Sequence, residues 1–274
     1  MTNRVVLVLL ASVGSAWCQN PAFSGNSVVN AASFQTPVAP GSLATIFGSN
    51  LASTTAQADT IPLSTSLGGV TVQFVQGSNT YTAPLLFASP GDPANSIPSQ
   101  VNVQIPWEVV PGGAPVSAIV SVNGNASAPQ QINVGPLGPG IFASSGRAIA
   151  VNNADNTLAW PAGAVPGLTS HGARAGDVVV IYASGLGALD NSIPDGTNPQ
   201  LVDGQLRNTA TTPTVMVGNV PAPLVYSVLS PQFVGVNQLA IKIPSNAPIG
   251  DQVPLQIQEG GVTSPASTTI SVIQ

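Results

Sequence analysis

Charge is what this 274-residue chain has least of: Asp, Glu, Lys and Arg make up 5% of it, against about 25% in ordinary soluble domains. Its polar surface must therefore come from Ser, Thr, Asn and Gln. The five cations form no cluster, which removes the basic footprint that nucleic acids and anionic membranes require. There is one cysteine, Cys18, and one histidine, His171. A disulfide framework is excluded, and so are the usual Cys/His zinc constellations. Aromatic residues are 5% of the chain, so each deserves a separate reading. No apolar run approaches the roughly 20 residues of a membrane-spanning helix.

What the chain does have is 28 Gly, 26 Pro and a hydrophobic share of 43%. The first two leave little room for long helices, and the third suffices for cores. At the N-terminus, Arg4 precedes a short apolar run, Val5 to Val13, and then small residues. That layout is a secretory signal, expected over residues 1–18 with cleavage after Ala16 or Cys18. A lipid anchor on Cys18 fits less well, because Trp17 stands where a small residue belongs. Removing the signal leaves Arg147, Arg174, Arg207 and Lys242 against ten carboxylates. The expected location is secreted: periplasmic, extracellular or cell-surface.

The remainder repeats itself. "PGSLATIFGSNLA" (40–52) aligns without gaps on "AGDVVVIYASGLG" (175–187), pairing Gly41 with Gly176, Ile46 with Ile181, Phe47 with Tyr182 and Ser49 with Ser184. "GGVTVQF" (68–74) answers to "TPTVMVG" (212–218), and "APLLFASP" (83–90) to "APLVYSVLSP" (222–231). "QVNVQIP" (100–106) answers to "QLAIKIP" (238–244), and "APVSAIVSVNGNASAP" (114–129) to "DQVPLQIQEGGVTSP" (251–265). Apolar residues alternate within these segments, as in strands with one buried face. Gly, Pro, Asn and Ser bound them, with "NGN" and "EGG" as hairpin turns.

Such spacing predicts an all-β chain of two tandem immunoglobulin-like antiparallel sandwiches. The expected boundaries are 27–136 and 174–274, joined by an irregular connector, 137–173. Within it "GRAIAVN" could pair with "NTLAW". Ile141, Phe142, Ile149, Val151 and Trp160 are too apolar for a free linker, so the connector should pack on the modules.

"VVNAASFQTPVAPGSLATIFGSNLA", "QVNVQIPWEV", "GPGIF", "AGDVVVIYASGLG" and "VPAPLVYS" together resemble the Solibacter-type uncharacterised C-terminal domain family, a paralogous group of secreted acidobacterial proteins. The similarity runs from Val28 to the end. Each module also resembles immunoglobulin-like IPT/TIG domains. The resemblance implies a fold and an extracellular setting, and it carries no catalytic residues.

Chemistry is sparse. A Ser/His/Asp triad through His171 could use Asp155 or Asp177, but no G-x-S-x-G elbow accompanies it. The ten carboxylates are scattered mostly singly through loops, and the sequence alone places no two of them across a sugar for glycoside hydrolysis. Asp190, Asn191 and Asp195 share one loop and supply oxygen ligands of a kind calcium accepts. They lack dedicated spacing, and such residues also make turns on conformational grounds. No cofactor is expected.

Trp107 follows the "QVNVQIP" strand, whereas the second copy has Ser245 there, so the tryptophan serves only copy one. It either seals the junction between modules or offers a stacking platform, and Trp160 shares the ambiguity. Phe47, Phe87, Tyr182 and Tyr226 recur in register and read as core. The function expected first is a secreted, non-catalytic interaction or adhesion module for an extracellular protein or polysaccharide. A structural, self-associating surface component comes second, and an extracellular hydrolase last.

Overall fold

The computed structural model describes residues 20–274; the expected signal segment and Cys18 lie outside the described residues. The chain is nearly all β. Its first ten strands are β1 (Ala22–Asn30), β2 (Leu43–Ser49), β3 (Ala56–Gln57), β4 (Val70–Gln76), β5 (Asn79–Thr82), β6 (Leu85–Ser89), β7 (Ser99–Gln104), β8 (Val116–Val122), β9 (Asn125–Ala126) and β10 (Gln130–Ile132). They form two sheets, ordered β1-β2-β7-β6-β3 and β10-β8-β4-β5. Ala44, Ile46, Val101 and Val103 of one sheet share a core with Val72, Phe74, Ala118 and Val120 of the other. Alternation explains this directly: every second side chain of a strand faces the opposing sheet.

The second set is β11 (Gly140–Ile141), β12 (Ala143–Ser144), β13 (Arg147–Ala148), β14 (Ala150–Asn152), β15 (Thr157–Leu158), β16 (Ala173–Arg174), β17 (Val178–Ser184), β18 (Thr214–Val217), β19 (Val220–Ala222), β20 (Leu224–Leu229), β21 (Asn237–Lys242), β22 (Gly250–Glu259), β23 (Val262–Thr263) and β24 (Thr269–Ile273). One sheet runs β15-β14-β17-β21-β20, the other β12-β13-β24-β22-β18-β19. Their core joins Ile181, Leu239 and Ile241 to Val215, Leu255 and Ile257. Each sandwich is built the same way around β2-β7-β6 or β17-β21-β20. Even a β-bulge recurs, between Leu85 and Phe87 in one copy and between Leu224 and Tyr226 in the other.

Two expectations need revision. Most of the segment read as a connector is woven into the second sandwich: β11 and β14 pair with β17, and β13 and β16 with β24. Ile141 and Trp160 are buried there, and β14 pairs with β15 as a short hairpin. Phe47, Phe87, Tyr182 and Tyr226 are half-buried and belong to neither core cluster. Their parity places them on the outer face, because Ala44 and Ile46 fill the inner one.

The weave also reveals a repeat with a different offset. Val28, Val29 and Asn30 pair with Ile46, Thr45 and Ala44. Ala150, Val151 and Asn152 pair with Ile181, Val180 and Val179, the counterparts of those three residues. "VVN" and "AVN" are therefore the same strand end, followed in both copies by a turn closed by Phe34 N–H to Asn30 O (2.8 Å) or Asn156 N–H to Asn152 O (2.9 Å).

Candidate functional site

The modules are fastened by buried polar contacts. Asn30 Nδ2 donates to the carbonyls of Gly138 (2.8 Å) and Ser184 (3.2 Å). Ser184 Oγ accepts from Leu43 N (2.9 Å) and donates to Gly235 O (2.9 Å). Gln104 Oε1 accepts from Gly196 N (2.7 Å), and Gly196 O accepts from Leu63 N (2.8 Å). Asn30, Gln104 and Ser184 are at most 1% exposed, so each bond satisfies a group that water cannot reach. Small residues permit the approach: a Cβ at Gly185 would strike Gly138 O, and one at Gly235 would press on Leu43. These bonds set the angle at which the two sandwiches meet.

That angle leaves a groove of about 790 Å³ between them. Its floor is the outer side of the first module's sheet, from Leu43 to Leu86, Phe87 and Asn102. One wall is the 57–63 strap, carrying Ile61 and Leu63; the other is the β20–β21 loop, carrying Phe233, Val234 and Val236. Phe233 is 50% exposed, and its ring stands edge-on to Tyr182 at 6.1 Å. Asp59 is the one charged residue of the lining. Size and character match an apolar ligand site with few polar groups, set at a module interface. Sequence reading missed it because its walls come from loops without periodicity. The available signal was large apolar residues inside turn-rich stretches, "DTIPLS" and "SPQFVGV".

Trp107 is half-buried at the same junction. Its ring lies on Gly41, its backbone N–H donates to Asp195 Oδ1 (3.0 Å), and its Nε1 is buried without a partner among the described residues. It borders a small cleft of about 220 Å³ against residues 188–193. Burial pushes the Asp195 carboxyl up to about 6; the Trp107 N–H draws it back, and the neighbouring Glu108 carboxyl adds to the rise. Trp160 is 4% exposed and gives its Nε1–H to Ala148 O at 2.6 Å. It is a core residue and offers no stacking platform, contrary to the expectation that paired it with Trp107.

The loop proposed for calcium does not converge. Asp190 is taken by Asn208, through its N–H (3.0 Å) and its Nδ2 (2.6 Å), while Asp195 turns to Trp107. Among the described residues no group of three or more His, Cys, Asp or Glu comes together. His171 meets Asp155 rather than Asp177: Nε2 lies 2.7 Å from Asp155 Oδ2, and Nδ1 lies 2.8 Å from Gly172 O. With an acceptor at each nitrogen the protonated ring can donate to both, and its pKa is raised, first by the Gly172 carbonyl and then by Asp155. It ties the β14–β15 hairpin to the chain entering β16.

Neither a scan against protein-family models nor a search of curated proteins finds a match to this chain. Among the described residues no helix is long and apolar enough to cross a membrane.

Proposed function

We propose that this chain is a secreted, non-catalytic interaction module that receives an apolar segment of an extracellular protein in the groove between its sandwiches. The observation that supports this reading is the lining: aliphatic and aromatic side chains from both modules, held apart by a polar, hydrogen-bonded joint. Apolar walls of this kind gain from covering anchor side chains that bring little charge. Asp59 at the groove, on a chain with twice as many acidic as basic residues, favours a partner with a basic residue beside its anchor. The extracellular setting follows from the N-terminal layout and the family resemblance, and it belongs to the proposal.

The test is selection of a displayed peptide library on the mature chain, followed by titration of the enriched peptides. Phe233→Asp is a suitable control, since a half-exposed ring should tolerate replacement. Enriched peptides should carry apolar anchors and lose about tenfold or more in affinity on Phe233→Asp, with Tm unchanged. Failure to enrich any sequence, or equal binding to the variant, would overturn the reading.

A further inference from the structure

A second cavity spans the junction, about 370 Å³ in volume, and its lining contains no charged side chain. The first module contributes Ser33 and Phe34; the second contributes Ile141, Ser145, Ser267 and Thr268. Phe34 is 60% exposed and adopts φ +56. Bulky side chains rarely occupy that left-handed region. The equivalent residue of the second module, Asn156, has φ +60, and asparagine tolerates the conformation by local hydrogen bonding. The turn therefore does not need a ring. Phe34 costs backbone strain and leaves most of its apolar surface in water, with one side near Phe47 at 6.2 Å between centroids. Residues held in such backbone conformations cluster at ligand sites, and Phe34 stands at the rim of this cavity.

We infer that Phe34 and this cavity form a binding site for a neutral carbohydrate. A flat exposed ring can cover the apolar C–H face of a sugar, while serine and threonine hydroxyls can donate to or accept from its hydroxyl groups. An ionic ligand would be left without a counter-charge in this lining, and a nucleic acid would find no cation for its phosphates. The site shares no lining residue with the apolar groove. Its success or failure is therefore independent of the peptide reading.

The experiment titrates the mature chain with neutral gluco-, xylo-, manno- and galacto-oligosaccharides, and with oligogalacturonate as the charged control, by calorimetry and saturation-transfer NMR. At least one neutral sugar should bind saturably. Phe34→Asn, which installs the residue of the second copy, should weaken it about tenfold or more while Tm holds or rises. Phe34→Tyr keeps the ring and should stay within about twofold of the parent. The inference fails if no neutral sugar saturates, if only the charged oligomer binds, or if Phe34→Asn leaves affinity unchanged. It also fails if Phe34→Asn lowers Tm, which would assign the ring to packing.

Discussion

Val122 and Glu259 occupy the same position in the two sandwiches, each closing a two-residue hairpin at the end of the strand's core-facing side. Val122 pairs with Asn125, and Glu259 with Val262. Two residues earlier, Val120 N–H donates to Ser127 Oγ (3.1 Å) and Ile257 N–H to Ser264 Oγ (2.9 Å), which fixes the equivalence. Copy two has thus placed a carboxyl where copy one buries a methyl-bearing side chain. Glu259 is 3% exposed, and neither carboxyl oxygen has a partner among the described residues.

Burial pushes the Glu259 carboxyl up to about 7. None of the strands packed on β22 (β11, β18, β23 and β24) carries a titratable side chain to offset this. Because the folded-state value is raised, the unfolded chain ionises first. Stability should fall as pH rises from about 4.5 to about 7 and then level off, a loss of up to about 3 kcal/mol. Glu259→Val, borrowing the residue of copy one, should raise Tm at pH 8 and flatten the curve in that window. Thermal melts across the pH range check both, and an unchanged slope in the variant would refute the assignment.

Asp195 contributes a second, lower window of the same sign. Burial pushes its carboxyl up to about 6 from the ordinary 3.8, so its ionisation also disfavours the folded state as pH rises through that interval. Asp195→Asn keeps an oxygen for the Trp107 N–H and removes the charge. It should match or exceed the parent's stability at pH 7. Asp195→Ala should be less stable than Asp195→Asn by about 1–2 kcal/mol, because the backbone donor at the joint loses its acceptor. Chemical denaturation of the two variants side by side makes the comparison.

The single histidine gives a direct readout. Asp155 is held down at about 2, chiefly by its bond to His171 and also by Thr157; His171 is raised, first by Gly172 O and then by Asp155. The pair's contribution should be fully present between about pH 4 and 6.5. It should fade in acid as Asp155 takes a proton and in alkali as pH passes His171's raised value. Both groups are more than a third exposed, at 35% and 47%, which keeps the energy small. One imidazole resonance followed by NMR should titrate above 6.5 and move back towards it in Asp155→Asn. A normal value in the parent would show the pair absent in solution.

How far the sequence was legible follows from these same residues. Alternation in "QVNVQIP" and "QLAIKIP" disclosed β7 and β21 because each strand turns one face to a core and the other outward. The start of the second module stayed hidden for a geometric reason. Asn30 lies 14 residues before its pairing partner Ala44, whereas Asn152 lies 27 before Val179. The longer loop shifts the offset and disguises "AVN" as connector. Register-keeping aromatics misled in a different way: Phe47 and Tyr182 repeat because the outer faces repeat, and outward parity cannot be read without knowing which neighbour is core. The groove was invisible because Ile61 and Phe233 come to line one groove only through the packing of one module on the other. Trp107 was legible in part: its absence from copy two left a junction seal and a stacking platform both open, and its backbone bonds Asp195.

Gly41 and Gly176 begin the repeated phrase with the same backbone, φ +74 and +89, but they differ in what surrounds them. A Cβ at Gly41 would enter the Trp107 ring, whereas one at Gly176 would meet nothing within 4 Å. Gly176→Ala should therefore cost only the left-handed conformation, about 1–2 kcal/mol. Gly41→Ala carries that same cost and must also displace the indole from the joint, so it should lose more. The excess should vanish when Trp107 is already truncated: in the Gly41→Ala, Trp107→Ala cycle the two changes should combine with a coupling of about 1–3 kcal/mol. Denaturant unfolding of the four proteins measures it. Strict additivity would mean that the ring does not rest on Gly41 in solution, and the contact assigned to Trp107 at the junction would have to be abandoned.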